Sequence, residues 1–278
     1  FCIIPYARGP VKSRQLSAVQ REIARFVAAG FHEVVLTGIH LGAYGIDLPA
    51  RPTLADACRT ALSLPGLRRL RLGSLESVEL SADLLSLMRT EPRFAAHLHL
   101  PLQAGSDAVL RAMNRHYDTA AFAQLLSEVR SAVPGVAIST DIIVGFPGET
   151  EEQFDEGLRF VRAMGFSRLH VFPYSPRKGT PAAARTDQVP GALRRVRAAR
   201  MQALAGALSE QFHRASLGRT APVLFESEAD GVFDGLTDTY IRVYTDAPVS
   251  RGEMVPMHLM RLHRDGVWGV PHRGIKNP

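Results

Sequence analysis

The feature that most constrains this chain is a serial alternation running from about residue 17 to residue 174. Short apolar, β-branched segments take turns with amphipathic ones of helical spacing. Ser17-x-x-Gln20 reads as a capping box opening a helix, with Val19, Ile23, Phe26 and Val27 on one face and Gly30 as its stop. Glu33 to Ile39 reads as a buried strand. Helices follow over 53–64, 81–90, from Ser106, 119–132 and from the capping box Thr150-x-x-Gln153 to near Gly165. Strands are expected at 69–75, 97–103, 137–145 and 168–174. Five strand–helix units in series imply an α/β fold on a parallel sheet with right-handed crossovers. A barrel and an open doubly wound sheet both satisfy the pattern. No Gly-x-Gly-x-x-Gly follows the first strand, and polar residues gather at the carboxyl ends of several strands, as in barrel enzymes.

The texture changes near Val189. Leu193, Val196, Leu204, Leu208 and Phe212 form a helical stripe with Arg194, Arg195 and Arg197 largely off it. After Gly218 the pattern is all β, with strands expected at 221–228, 240–245, 254–262 and 267–270 and a small antiparallel barrel as their natural closure. No apolar run approaches the roughly 18 residues of a membrane helix. Two cysteines, Cys2 and Cys58, make no disulfide framework and suit a reducing cytoplasm. Charge is uneven: residues 220–278 hold 6 basic and 8 acidic side chains, whereas residues 1–219 hold 27 and 19. A body at +8 beside a β region at −2 suggests an anionic partner such as RNA, or simply a solvated basic surface.

Phe1-Cys2-Ile3-Ile4-Pro5-Tyr6-Ala7-Arg8-Gly9 places a cysteine beside an aromatic, then a turn and a basic corner. Alone, that thiol is a metal ligand, a nucleophile or a surface residue. Four further blocks stand with it: Val34–Ile39, His99–Asp107, Thr140–Thr150 and Phe172–Pro181. Together these stretches resemble the methylthiotransferase family of radical S-adenosylmethionine enzymes over essentially the whole length. That family's cluster loop reads Cys-x3-Cys-x2-Cys with an aromatic before the third cysteine. Only that third cysteine, Cys2, and its aromatic, Phe1, are present, so the chain reads as cut inside the motif.

The resemblance implies a six-stranded partial (βα) barrel lacking its first strand here, over residues 1–189. A connecting basic helix over 190–217 and a small all-β, TRAM-like barrel over 218–278 would follow. It implies a [4Fe–4S] cluster with Cys2 as a ligand, S-adenosylmethionine on the open iron with Phe1 near its adenine, and a 5′-deoxyadenosyl radical. A second cluster would lie on an N-terminal part absent from this chain. The partners implied are tRNA and an electron donor such as a flavodoxin or ferredoxin. As the chain stands, one of three cluster thiolates is present, and the fragment alone is expected to be inactive.

The remaining candidates follow from placement. Thr37 and Gly38 end the first strand, as a tight turn or, by the resemblance, a cofactor contact. Gln103 ends another strand and can donate and accept at once. Ser106 either joins it or caps the next helix. Asp141 within a strand is either functional or locked to a basic neighbour. Gly145 and Glu149 close that strand, as a simple turn or a cofactor contact that the resemblance favours. His97 and His99 share one strand face, read as hydrogen-bonded barrel histidines rather than a metal pair. Cys58 sits among small apolar residues and reads as core. Arg8, Lys12, Arg14 and Arg177, with Lys178, could ring the barrel mouth, and Arg194, Arg195 and Arg197 could add phosphate contacts. Arg242, Tyr240 and Tyr244 are the RNA contacts expected of the β region.

Within the family, Leu36–His40, Tyr44–Leu48 and His97–Leu100 look most like the branch acting on N6-threonylcarbamoyladenosine next to the anticodon. The isopentenyladenosine branch comes second and the ribosomal-protein branch third. A non-catalytic RNA-binding fragment and an ordinary hydrolytic or aldol barrel are the alternatives from other classes.

Overall fold

The structure, a computed structural model, describes residues 1–4, 9–76 and 79–272. Strands β1 (Glu33–Leu36) and β2 (Arg69–Leu72) pair in parallel. Strands β3 (His97–His99), β4 (Ala137–Val144) and β5 (Arg168–Pro173) form a second parallel set in that order. Isolated parallel bridges, Leu70 with Phe94 and Ser74 with His99, join the two sets along the β2–β3 seam. All five strands therefore run one way, as the alternating pattern requires.

Helix α1 (Leu16–Ala28) precedes β1, and helices α2 (Leu54–Leu62), α3 (Ala82–Thr90), α4 (Asp107–Ala112), α5 (Thr119–Ala132) and α6 (Glu151–Met164) connect the strands. Their apolar faces meet Leu70, Leu72, Leu98, Ile138 and Ile142 in the main core. Because side chains alternate along a strand, the other sheet face carries Glu33, Arg69, Arg71, His97, His99, Ser139, Asp141 and His170.

Helix starts follow side-chain chemistry. Thr150 and Gln153 form the expected capping box on α6, and Gly165, at φ 59°, ends that helix in the left-handed region. A reciprocal box also joins Thr53 to Asp56 at α2. The expected box at Ser17 does not form. α1 begins at Leu16 behind Gln15, so Ser17 is already inside the first turn and cannot cap it. β3 is also shorter than expected. Pro101 has no N–H to give the ladder and Gln103 turns to φ 72°, leaving one bridge to Ile142.

α7 (Gly191–Ser216) packs on β5 and α6. Its buried stripe is Arg197, Ala198, Met201, Leu204 and Leu208; of the expected stripe, Leu204 and Leu208 are buried, Leu193 and Phe212 half-buried, and Val196 exposed. Past α7, β6 (Thr220–Ala229), β7 (Val232–Leu236), β8 (Arg242–Thr245), β9 (Met254–His263) and β10 (Gly266–Pro271) close a barrel in the order β10-β8-β7-β6-β9. β7 was not expected, because Asp234-Gly235 in its middle reads as a turn. The barrel is not wholly antiparallel: β8 and β10 run parallel. Its interior is Val223, Phe225, Val243, Met257, Leu259 and Val267.

The barrel meets the sheet through buried arginines. Glu33 accepts from Arg69 at 2.9 Å and from Arg71 at 2.7 Å. Arg69 also donates to the Pro222 and Leu236 carbonyls, and Arg71 to those of Thr237 and Asp238. Each guanidinium is thus desolvated yet makes three hydrogen bonds, one of them to the Glu33 carboxylate, the condition under which a buried charge is tolerated.

Candidate functional site

The candidate site lies where the five strands end. Phe1 packs its ring edge-on against Phe146, centroids 6.0 Å apart, with the Arg115 guanidinium 5.8 Å from its centre. Phe146 in turn meets Tyr174 at 5.2 Å, and Ala104, Val109, Leu110, Met113 and Ala182 complete this apolar cluster. The sequence neighbours of β3, β4 and β5 thus converge on the residue beside Cys2. Cys2 itself is exposed, its Sγ accepting from the Ile4 amide at 3.4 Å.

The described residues can be tested against an iron–sulfur cluster. Clusters are held by thiolates, and an exposed thiol anchored beside an aromatic that packs at the strand ends fits one such ligand. Tyr174 Oη, buried in the same cluster, has no hydrogen-bond partner among the described residues. No group of three His, Cys, Asp or Glu suited to a metal occurs among them, so further ligands would have to come from elsewhere. Cys58 is no such ligand: it is wholly buried, and burial pushes its thiol up to about 12.

Thr37 and Gly38 are exposed after β1, with Gly73 of the neighbouring strand end against Thr37. Gln103 is held by its backbone, its N–H donating to the Asp141 carbonyl at 2.9 Å and its carbonyl accepting from Ile143 at 2.8 Å. Ser106 occupies the N-cap position of α4 but does not cap it. Its hydroxyl donates to Glu156 of α6 at 2.7 Å instead. Asp141 has a basic neighbour, His99 Nε2 at 3.3 Å, and keeps part of its carboxylate exposed.

Gly145 and Glu149 close their loop on itself. Gly145 sits at φ 71°, and a Cβ there would lie 2.3 Å from Arg194 Cγ, so only glycine leaves room for that side chain. The Gly145 amide donates to Glu149 Oε2 at 2.6 Å. Arg197 Nη1 donates to the same oxygen and to the Glu149 carbonyl, both at 2.9 Å. Burial raises the Glu149 carboxyl above its ordinary value, and the Gly145 and Arg197 hydrogen bonds oppose that shift.

Among the expected phosphate contacts, Lys12, Arg177 and Arg195 are exposed. Arg14 is exposed and paired with Glu22. Arg8 lies outside the described residues. Arg194 is partly buried and donates to the Tyr174 carbonyl. Arg197 is a correction: at 2% exposure its guanidinium is used up by Glu149 and Glu151 and has no surface to offer a phosphate. The three β-region candidates are likewise engaged within the protein. Tyr240 stacks under Arg71, Tyr244 donates to Asp265, and Arg242 pairs with Asp234.

Sequence reasoning passed over Glu79. It lies after β2, its side chain nearly buried, pairs with His40 and accepts from the Gly42 amide at 3.0 Å. Glu76 beside it takes Arg115 at 2.8 Å. The rule that picked out Gln103, a polar residue at a strand end, would have found Glu76, next to the strand expected at 69–75, but not Glu79.

The profile of the Radical SAM superfamily matches residues 1–161. Over 248 residues, 87% of this chain and 55% of the relative, the sequence is 38% identical to the threonylcarbamoyladenosine tRNA methylthiotransferase MtaB of Bacillus subtilis. It is also 38% identical over 254 residues to the tRNA-2-methylthio-N(6)-dimethylallyladenosine synthase of Rickettsia rickettsii, covering 89% of this chain and 57% of that one. The corresponding synthase of Acidothermus cellulolyticus is 42% identical over 237 residues, 85% of this chain and 48% of that one. The chain thus spans about half the length of these relatives. Among solved structures, coproporphyrinogen III oxidase (HemN) of Escherichia coli superposes with a TM-score of 0.52 at 16% identity, covering 80% of this chain and 59% of that one. Methylornithine synthase (PylB) gives 0.51 at 18%, covering 74% and 58%. These two likenesses concern the fold alone. Among the described residues no helix is long and apolar enough to cross a membrane.

Proposed function

The chain belongs to the radical SAM superfamily, and from that premise we propose that it is the greater part of the catalytic portion of a tRNA methylthiotransferase. The observation that carries this reading is the reach of the similarity. It covers 87% of the chain, so it includes both the parallel sheet and part of the β-barrel. Cys2 would hold one iron of a [4Fe–4S] cluster, with S-adenosylmethionine lying along the strand ends at Thr37, Gly38, Gln103 and Gly145. When bound, that pair supplies the one-electron chemistry that opens an unreactive C–H bond. The chain's own residues do the rest. Phe1 and Phe146 shield the cluster side from water, and the Gly145–Glu149 loop keeps the end of β4 closed on Arg197. A flavodoxin or ferredoxin would deliver the electron, in the cytoplasm.

For the substrate we favour N6-threonylcarbamoyladenosine over the dimethylallyl nucleoside. The blocks Leu36–His40 and Tyr44–Leu48 support it, as does the polar inward sheet face of His99, Asp141, His170 and Ser139. A prenyl group has no donor or acceptor to offer that face, whereas a threonylcarbamoyl group has both. The test is mass spectrometry of nucleosides from bulk tRNA of a strain lacking the gene. Loss of the methylthio group from the threonylcarbamoyl nucleoside alone is expected. Loss only from the dimethylallyl nucleoside reassigns the substrate, and no loss from either overturns the proposal.

A further inference from the structure

The inward sheet face and the β-barrel are joined by one run of side chains. Tyr240, between β7 and β8, adopts φ 61°, a left-handed conformation uncommon outside glycine that persists only where its surroundings enforce it. Here they do. The Arg71 guanidinium lies 3.7 Å from one face of the ring, and Arg71 is fixed by Glu33 and by the carbonyls of Thr237 and Asp238. The His97 imidazole meets Tyr240 nearly perpendicularly, centroids 4.5 Å apart. His97 Nε2 is 3.0 Å from Ser139 Oγ, and the same hydroxyl is 2.9 Å from His99 Nδ1. His99 Nε2 then faces Asp141 Oδ1 at 3.3 Å.

Proton counting gives this run a direction. A bare ring nitrogen facing a carboxylate oxygen would be repelled, so in its neutral form His99 carries its proton on Nε2 and its Nδ1 accepts. Ser139 has one proton and must give it to His99 Nδ1, so its oxygen accepts from His97 Nε2–H. His97 Nδ1 is then a bare acceptor, and it is the ring atom buried without a hydrogen-bond partner among the described residues. The opposite arrangement would bury an unpaired N–H, the rarer case. Burial holds His97 well below the ordinary histidine value, with the nearby Arg71 charge adding to it, so the ring is neutral as the chain requires.

We propose that Tyr240, His97 and Ser139 are positioning residues: they fix the tautomer of His99 and so hold the Asp141 carboxylate as an oriented acceptor on the inward face. The ligand it would receive bears an N–H or O–H donor. Both the substituted adenosine and the ribose of S-adenosylmethionine carry one. The barrel thus serves the site by holding Tyr240 against the sheet rather than by touching RNA with it. The positioning device stands on this geometry alone, whereas its service to catalysis rests on the function proposed above.

The first test needs no activity. Two-bond 1H–15N correlation spectra of the 278-residue chain read the protonation of each imidazole nitrogen. At a pH where both rings are neutral, His97 and His99 are expected to carry their proton on Nε2. In Ser139→Ala the His99 signals should move to a mixture of tautomers while His213 and His263 stay put. A neutral ring protonated at Nδ1 for either histidine in the native chain, or an unchanged His99 in Ser139→Ala, overturns the proposal. The second test uses the full-length holoenzyme. Ser139→Ala and Tyr240→Leu should raise one KM by about tenfold, and Tyr240→Phe, which keeps the ring in place, should restore it. A rise confined to the RNA assigns the donor to the nucleoside, and one confined to S-adenosylmethionine assigns it to the cofactor. A fall in kcat with both KM values unchanged refutes the acceptor role. An intact tautomer pattern in a protein that proves to have another activity would sink the proposed function and leave the positioning device standing.

Discussion

Arg197 was expected to meet phosphate, and the structure makes it an internal strut, a difference that can be measured. Its guanidinium is 2% exposed and binds Glu149 Oε2 and the Glu149 carbonyl, while Nε and Nη2 reach Glu151 Oε2 at 3.3 and 3.2 Å. Arg197→Met keeps the stem and removes the charge. What remains is the Glu149 carboxylate, buried and left with the Gly145 amide as its hydrogen-bond donor. Breaking a buried ion pair on one side typically costs about 3–5 kcal/mol, and the same range is expected here. Replacing both partners costs far less, because no uncompensated charge is left. Arg197→Met with Glu149→Gln should therefore be more stable than the two single losses predict by about 1–3 kcal/mol. pH adds a signature. Burial already raises Glu149 above its ordinary value, and removing Arg197 should raise it further. The native state then holds a proton that the unfolded state has released, so stability falls as pH rises through that window. The deficit of Arg197→Met should be larger at pH 7.5 than at pH 5. Urea unfolding of the four proteins at both pH values gives all these numbers. A single-mutant loss below about 1 kcal/mol, or strict additivity with Glu149→Gln, would refute the buried-pair account.

Three further outcomes are expected. Alkylation of the native chain should modify Cys2 quickly and Cys58 only after unfolding, since a thiol pushed up to about 12 presents almost no thiolate; equal rates at both would contradict that burial. Because His97 is held well below its ordinary value, the unfolded chain binds a proton there that the native chain refuses, so stability should fall as pH drops below about 6.5. His97→Gln should reduce that slope by up to about 1.4 kcal/mol per pH unit in acid unfolding curves, and an unchanged slope would mean that His97 charges freely in the fold. In tRNA binding across a salt series, Arg195→Ala in the full-length protein should lower the log–log slope by up to about one unit, while Arg197→Ala should leave it unchanged; the reverse result would return Arg197 to the surface.

The parallel sheet was legible because its signals are local. Val34 and Ile142 lie in short apolar runs, Leu70 and Leu72 alternate with polar residues, and Thr150 with Gln153 marks a helix start within four residues. Cys58 could be read as core from its immediate neighbours. What escaped depends on partners distant in sequence. An arginine on a long helix is polar by default, and nothing near Arg197 announces that Glu149, 48 residues earlier, is buried beneath it. Arg69 and Arg71 alternate with leucines in β2, yet the carbonyls that satisfy them belong to the β-barrel more than 150 residues later. Tyr240 has the look of a surface aromatic in an RNA-binding barrel and is instead held between Arg71 and His97. Ser106 stands at a helix start with the right side chain to cap it, but Glu156 draws its hydroxyl away.

The central claim is that Cys2 anchors the cluster of a tRNA methylthiotransferase while the other cysteine is packing. It is tested most directly by returning three alleles of the full-length gene to a strain that lacks it and measuring methylthiolated adenosines in bulk tRNA by mass spectrometry. The wild type and Cys58→Ala should restore the methylthio group on the threonylcarbamoyl nucleoside, and Cys2→Ala should restore none. Full restoration by Cys2→Ala, or no methylthio nucleoside from the wild-type allele, would contradict the account.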